Sequence, residues 1–129
     1  MGSDPASAID HQRSRTGLDR DERLVKDAIL RMASLVETQI RSAIRAFLDR
    51  DPVLAGEVIQ ADARVNEAQR AVTDAVTMTI ATQQPVARDL RFLLALNQVA
   101  YELERIGDHA TSVAKQARRL ADAPALVGA

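Results

Sequence analysis

Apolar side chains recur every three or four residues along most of this chain, and the recurrence breaks at two places. From Asp19 to about Arg50 they fall at Val25, Ile29, Met32, Val36, Ile40, Ala43 and Phe47, a spacing that lines one face of a helix. The first break is Asp51-Pro52. Asp51 can cap a following helix, and Pro52 takes a first-turn position where its missing N–H costs nothing. A second stretch runs Leu54, Val58, Ala61, Val65, Ala68, Val72, Ala75, Thr79 in alternating steps of four and three. That is a heptad seam, the pattern of helices lying side by side at a shallow angle. Gln83-Gln84-Pro85 interrupts it, because proline cannot continue a helix but can open one. The third stretch, from about Pro85 to Ala121, carries Leu93, Leu96, Ala100, Leu103, Gly107, Ala110, Ala114, Ala117 and Ala121. Arg118 and Arg119 lie near its end, where the helix dipole favours positive charge.

Three helices of about 30 residues, each about 45 Å long, joined by short turns must run antiparallel. The expected fold is an all-α, up-down-up three-helix bundle. Residues 1–18 are polar and aperiodic and are expected to form a flexible tail, with the bundle over 19–121 and a frayed C-terminus over 122–129. His11, in the tail, is given no role.

Composition narrows the chemistry. The chain has 129 residues, enough for one domain with one core, and 47% of them are apolar but only 2% aromatic. The core must therefore be built from Ala, Val, Leu and Ile, and stacking platforms for bases or sugars are scarce. A net charge of −1 argues against a dedicated nucleic-acid binder. Cysteine is absent, which excludes disulfides, thiolate nucleophiles and Cys-ligated zinc and suits a cytoplasmic location. The longest apolar run, Phe92 to Leu96, is far short of the roughly 20 residues that cross a bilayer. A soluble chain with no membrane insertion is expected. No Gly-rich phosphate loop, no spaced Ser, His and Asp set and no H-E-x-x-H is present, so no enzyme is expected.

Two polar pairs stand beside the seams: Asp62 with Asn66 on the second helix, and Glu104 with Asp108 on the third. Residues four apart share a helix face, so each pair can aim two oxygen ligands at one point. With Val65 and Gly107 both at heptad position a, Asp62 and Glu104 both fall at e, and Asn66 and Asp108 both at b. The pairs lie equally far from the turn near residue 85, so an antiparallel hairpin sets them at one level. The expected metal ligands are thus Asp62, Asn66, Glu104 and Asp108, a set suited to Fe, Mn, Mg, Ca or Zn. The same residues also read as ordinary solubilising flank charges. Gly107, on the seam, points to close backbone approach by a neighbour, with room for a bound ion as its other use. His109 points away from the pair's shared face. Glu37 lies near the same level, with Arg41 four residues on as a surface partner. Asp89 answers the dipole of the third helix.

Gln84-Pro85-Val86-Ala87-Arg88-Asp89-Leu90-Arg91, followed by Leu103-Glu104-Arg105-Ile106-Gly107-Asp108, resembles the signature of the PhoU family. Asp62-x-x-Val65-Asn66 and the Arg50-Asp51 turn fall where that family has them, and the likeness covers about residues 20–120. It implies a single PhoU-like three-helix repeat whose acidic motifs hold metal clusters on the bundle surface. By position, Glu104 and Asp108 match the acidic motif, and Asp62 and Asn66 match its counterpart on the preceding helix. It also implies a negative regulator of phosphate uptake and phosphate-starvation signalling. Its implied partners are the ATPase subunit of the phosphate transporter and a sensor histidine kinase. Two departures stand out. Family members usually carry two bundles in tandem and this chain holds one, which leaves a fragment, a single-repeat relative, or a half that forms a homodimer. The neutral Asn66 and Gln69 lower the negative charge of the site. Two other functions fit the residues: a metal-binding bundle for ion storage or redox chemistry, and a purely structural protein-interaction module.

Overall fold

The computed structural model describes the backbone of residues 5–123 and the side chains of residues 15–123. It contains three helices, α1 (Pro5–Leu48), α2 (Pro52–Gln83) and α3 (Ala87–Asp122), each packed on both others, and no strand among the described residues. The all-α three-helix bundle read from the periodicity is what the chain forms.

Two turns of three residues set the topology. At the first, Asp51 is extended and its Oδ1 accepts from the Leu54 backbone N–H at 3.0 Å, with Pro52 opening α2. This is the cap expected from Asp51-Pro52, and it satisfies one of the unpaired N–H groups of a helix start. At the second, Gln84 ends α2 in the left-handed region at φ 47° and donates its backbone N–H to Ile80 O. The extended Val86 then precedes α3, which starts at Ala87, two residues later than Pro85 suggested. With so short a turn the α2–α3 register is narrow. Thr73 Oγ1 donates to Asn97 Oδ1 across it at 2.8 Å.

The core is aliphatic, and its phase on α1 differs from the expected one. Leu18, Val25, Ile29, Met32, Val36, Ala43 and Ala46 are buried, and Glu22 and Gln39 complete the same four-three rhythm. Ile40 and Phe47, expected on the buried stripe, are 36% and 40% exposed; Gln39 and Ala46 take their places. On α2 the seam widens to include Ala55 and Val76, both buried beside Val58, Val65 and Val72. All three aromatic residues, Phe47, Phe92 and Tyr101, are exposed. The buried apolar residues form two clusters. One is centred on Val25, Met32, Val36, Val65, Val72 and Leu93, the other on Ala43, Ala46, Ala55, Val58, Ala110, Ala114 and Ala117. Alanines dominate the second, so the helices approach closely there. Between the clusters lies a polar layer of Gln39, Gly107 and Thr111.

The expected tail boundary at residue 18 needs correction, because α1 begins at Pro5. Leu18 is buried on the continued seam, and Arg15 pairs with Asp89 of α3 at 2.6 Å. Gln83 Nε2 donates to Asp21 Oδ2 at 3.1 Å. The α2–α3 turn thus supplies partners that a polar, aperiodic sequence gives no sign of. Residues 1–4 and 124–129, read as tail and frayed end, lie outside the described residues, as does the His11 side chain.

Candidate functional site on the α2–α3 face

Asp62 and Asn66 project from α2 and Glu104 and Asp108 from α3 onto one face of the bundle. Asn66 Nδ2 donates to Asp62 Oδ2 at 3.4 Å. Glu104 hydrogen-bonds with Asp108, and Asp62 is near enough for its charge to act on Glu104. The Glu104 carboxyl is held above the usual glutamate range. Burial is the largest cause, followed by the hydrogen bond and charge of Asp108 and then the charge of Asp62. Arg105 opposes this only weakly; its guanidinium lies 3.8 Å from Glu102 instead. Three carboxylates thus share a face without a strong cationic partner.

The donor chemistry suits a hard cation, since three carboxylates and an amide oxygen offer only oxygen ligands. The arrangement is not a closed chelate. Among the described residues, no three His, Cys, Asp or Glu side chains are placed to hold one ion. Asn66 turns its amide N–H toward one Asp62 oxygen, and Thr111 Oγ1 lies 3.3 Å from the other. The single Thr111 proton has two acceptors, Asp62 Oδ1 and the Gly107 carbonyl at 3.1 Å.

Thr111 connects this face to the interior. Its hydroxyl accepts from Gln39 Nε2 at 3.5 Å, and the same amide approaches Val58 O at 3.5 Å. Gln39 is 2% exposed and its Oε1 has no partner. Gly107 makes the room: a Cβ there would lie 2.8 Å from Gln39 Oε1 and 3.3 Å from Val65 Cγ1. The close approach expected at Gly107 is therefore to a side chain, not to a backbone. Gln39 and Thr111 are not among the residues that the spacing of polar pairs picks out. Continuing the four-three rhythm of α1 through Glu22 and past Val36 would have put Gln39, not Ile40, on the seam. The polar band extends along the same groove, where Gln69 Nε2 donates to Thr73 Oγ1 at 2.9 Å and Thr73 donates to Asn97.

The remaining candidates sit elsewhere. Glu37 is bound to Arg41 at 2.7 Å on the α1 surface, and His109 is exposed. Asp89, at the start of α3, is held below the usual carboxylate range chiefly by its hydrogen bond from Arg15. Beside it the buried Glu22 is held above the usual range by burial and by a hydrogen bond to Asp89, and its Oε1 is unpartnered. A cleft of about 220 Å³ opens between α1 and α2, lined by Thr38, Gln39, Glu57 and Arg64, and so lies off the acidic face.

These features define a helical domain whose polar chemistry is spread over the α2–α3 surface of a three-helix bundle. The family model described as the PhoU domain matches residues 29–117, and the chain belongs to the PhoU family. It is 36% identical over 98 residues to the phosphate-specific transport system accessory protein PhoU homolog of Pseudomonas aeruginosa, covering 76% of this chain and 40% of that protein. It is 37% identical over 93 residues to the Escherichia coli accessory protein PhoU, covering 72% and 39% respectively. A Clostridium acetobutylicum PhoU homolog is 38% identical over 93 residues, covering 71% and 42%. The chain thus spans about two fifths of the length of these curated relatives. No helix among the described residues is long and apolar enough to cross a membrane.

Proposed function

We propose that this domain is a non-catalytic regulatory adaptor of a phosphate transport system, acting in the cytoplasm as a negative regulator of phosphate uptake and starvation signalling. Its proposed partners are the transporter's ATPase subunit and a sensor histidine kinase. The observation that carries this reading is family membership over residues 29–117, with relatives named as accessory proteins of phosphate-specific transport. The bundle surface supports docking, since its polar groups lie on long exposed helix faces.

A cation is the second part of the proposal. Asp62, Asn66, Glu104 and Asp108 would hold it, with Asn66 turning its amide oxygen outward. The crowding supports this: after burial, the hydrogen bond and charge of Asp108 and the charge of Asp62 hold the Glu104 carboxyl up, and carboxylates that oppose one another gain from a shared positive charge. A bound divalent cation would offset most of the charge of the face and brace α2 against α3.

Pull-down of the ATPase subunit and of the kinase under phosphate-rich conditions tests the adaptor reading; retention of neither sinks it. For the cation, protein purified without chelator should gain thermal stability with Mn, Fe, Zn or Mg, by about 2.7 kcal/mol at a hundredfold excess over Kd. The gain should vanish when Glu104 and Asp108 are both replaced by Ala. Unchanged stability with all four metals would remove the cation and leave the adaptor reading intact.

A further inference from the structure

The cleft of about 220 Å³ between α1 and α2 carries opposite charges at its two ends. The helices run antiparallel from the turn at 49–51, and counting equal distances outward from it sets levels along the cleft. Arg64 stands beside Ser34 and Thr38, and Glu57 beside Ser42. A floor of Leu35, Val58, Ala61 and Val65 joins the two ends. The short side chains of Ser34, Ser42 and Ala61 fill little of the space between the helices, which keeps it open. Seven residues apart on α2, Glu57 and Arg64 are separated by about 10 Å along the helix axis. Neither is in an ion pair among the described residues. On the neighbouring surface of α1, by contrast, Glu37 and Arg41 pair with each other at 2.7 Å. A concave site with an apolar floor and a few polar groups at defined points is the usual form of a small-molecule pocket.

We propose that this cleft binds a small zwitterion of the ω-amino-acid class, a straight carbon chain with a carboxylate at one end and an ammonium at the other. The carboxylate meets the Arg64 guanidinium and the Ser34 hydroxyl. The ammonium meets the Glu57 carboxylate and the Ser42 hydroxyl, and the methylenes lie on Val58, Ala61 and Val65. Extended 6-aminohexanoate sets its charges about 8 Å apart, a span that the long Glu57 and Arg64 side chains close by leaning inward. Glycine, with about 3 Å between its charged groups, reaches only one end. Lysine contains the longer arrangement. Its α-ammonium falls at the Thr38 end, where that hydroxyl gives its own proton to Ser34 O at 3.1 Å and is left as an acceptor. The cleft lies off the acidic face, so its occupancy is independent of both the cation and the adaptor role. Exposed charges contribute modestly, and a ligand of about nine heavy atoms should bind with a Kd of about 1 mM.

Amide-resolved NMR of the nitrogen-labelled full chain, titrated with 6-aminohexanoate to about 20 mM, tests this. Saturable shifts should centre on Ser34, Thr38, Ser42 and Ala61, and lysine should move the same amides. Hexanoate, hexylamine and glycine should each bind about threefold to fivefold more weakly, since each leaves Arg64 or Glu57 unmatched. Arg64→Gln should lower 6-aminohexanoate to the level of hexylamine, and Glu57→Gln to the level of hexanoate. Both side chains are exposed, so helical circular dichroism should be unchanged. No saturable shift at about 20 mM, or shifts centred on another part of the bundle, would overturn the proposal. So would equal binding of hexanoate and hexylamine, or binding that survives both substitutions undiminished.

Discussion

Gly107→Ala sets two well-characterised effects against each other. Alanine is favoured over glycine in a helix interior by about 1 kcal/mol. Here the new Cβ would sit 2.8 Å from Gln39 Oε1 and 3.3 Å from Val65 Cγ1. Val65 is 1% exposed and has nowhere to retreat. Gln39 can move only by leaving Val58 O and the Thr111 hydroxyl, both already distant at 3.5 Å. Overpacking of this kind costs about 1–3 kcal/mol, and losing two weak hydrogen bonds adds about 0.5–1 kcal/mol. The net expectation is a loss of about 1–2 kcal/mol despite the better propensity. In a Gln39→Ala background the obstructing oxygen is gone, and Gly107→Ala should recover up to about 1 kcal/mol. The two substitutions should therefore be non-additive by about 2 kcal/mol. Urea denaturation of the wild type, both single variants and the double variant, followed by circular dichroism, measures this directly. If Gly107→Ala stabilises both backgrounds equally, Gln39 is not what requires the glycine, and the account of the polar layer fails.

Further outcomes follow from the same structure. Glu104 has a raised pKa in the folded state, so its ionisation costs stability, and that cost develops as pH rises from the ordinary glutamate value through the raised one. Glu104→Gln should raise the melting temperature at pH 7 and leave it unchanged below about pH 4; a loss of stability at neutral pH would contradict the repulsion described. Gln84 holds a left-handed backbone that costs a side-chain-bearing residue about 1–2 kcal/mol. After the entropic cost of glycine, Gln84→Gly should stabilise by about 0.5–1 kcal/mol in urea melts, and a destabilised variant would show that the side chain is needed. Leu93 is 0% exposed at the centre of the larger apolar cluster, so Leu93→Ala should cost about 2–5 kcal/mol. A cost under about 1 kcal/mol would mean the cluster closes over the gap.

Much of this was determined by the sequence alone, for local reasons. Proline at 52 and 85 cannot continue a helix, and Asp51 caps one, so the three helices and both turns follow from chemistry within a few residues of each break. The level of Asp62 with Glu104 follows as well, because a turn of three residues leaves an antiparallel pair little freedom in register. The tertiary structure decided what depends on neighbouring helices. Ile40 and Gln39 are adjacent on α1, and hydrophobicity favours burying Ile40. Gln39 is buried because Gly107 of α3 opens a space at that level and Thr111 and Val58 O meet its amide. Arg15 and Leu18 carry no periodic signal strong enough to extend α1, yet they are held by Asp89 and the core at the far end of the bundle. Phe92, Val99, Ile106, Val113 and Leu120 of α3 are periodic in sequence, but only the packing of α1 and α2 shows that they are left outside the core. Spacing along one helix reports which residues share a face; which face is buried depends on the shape that the other two helices present to it.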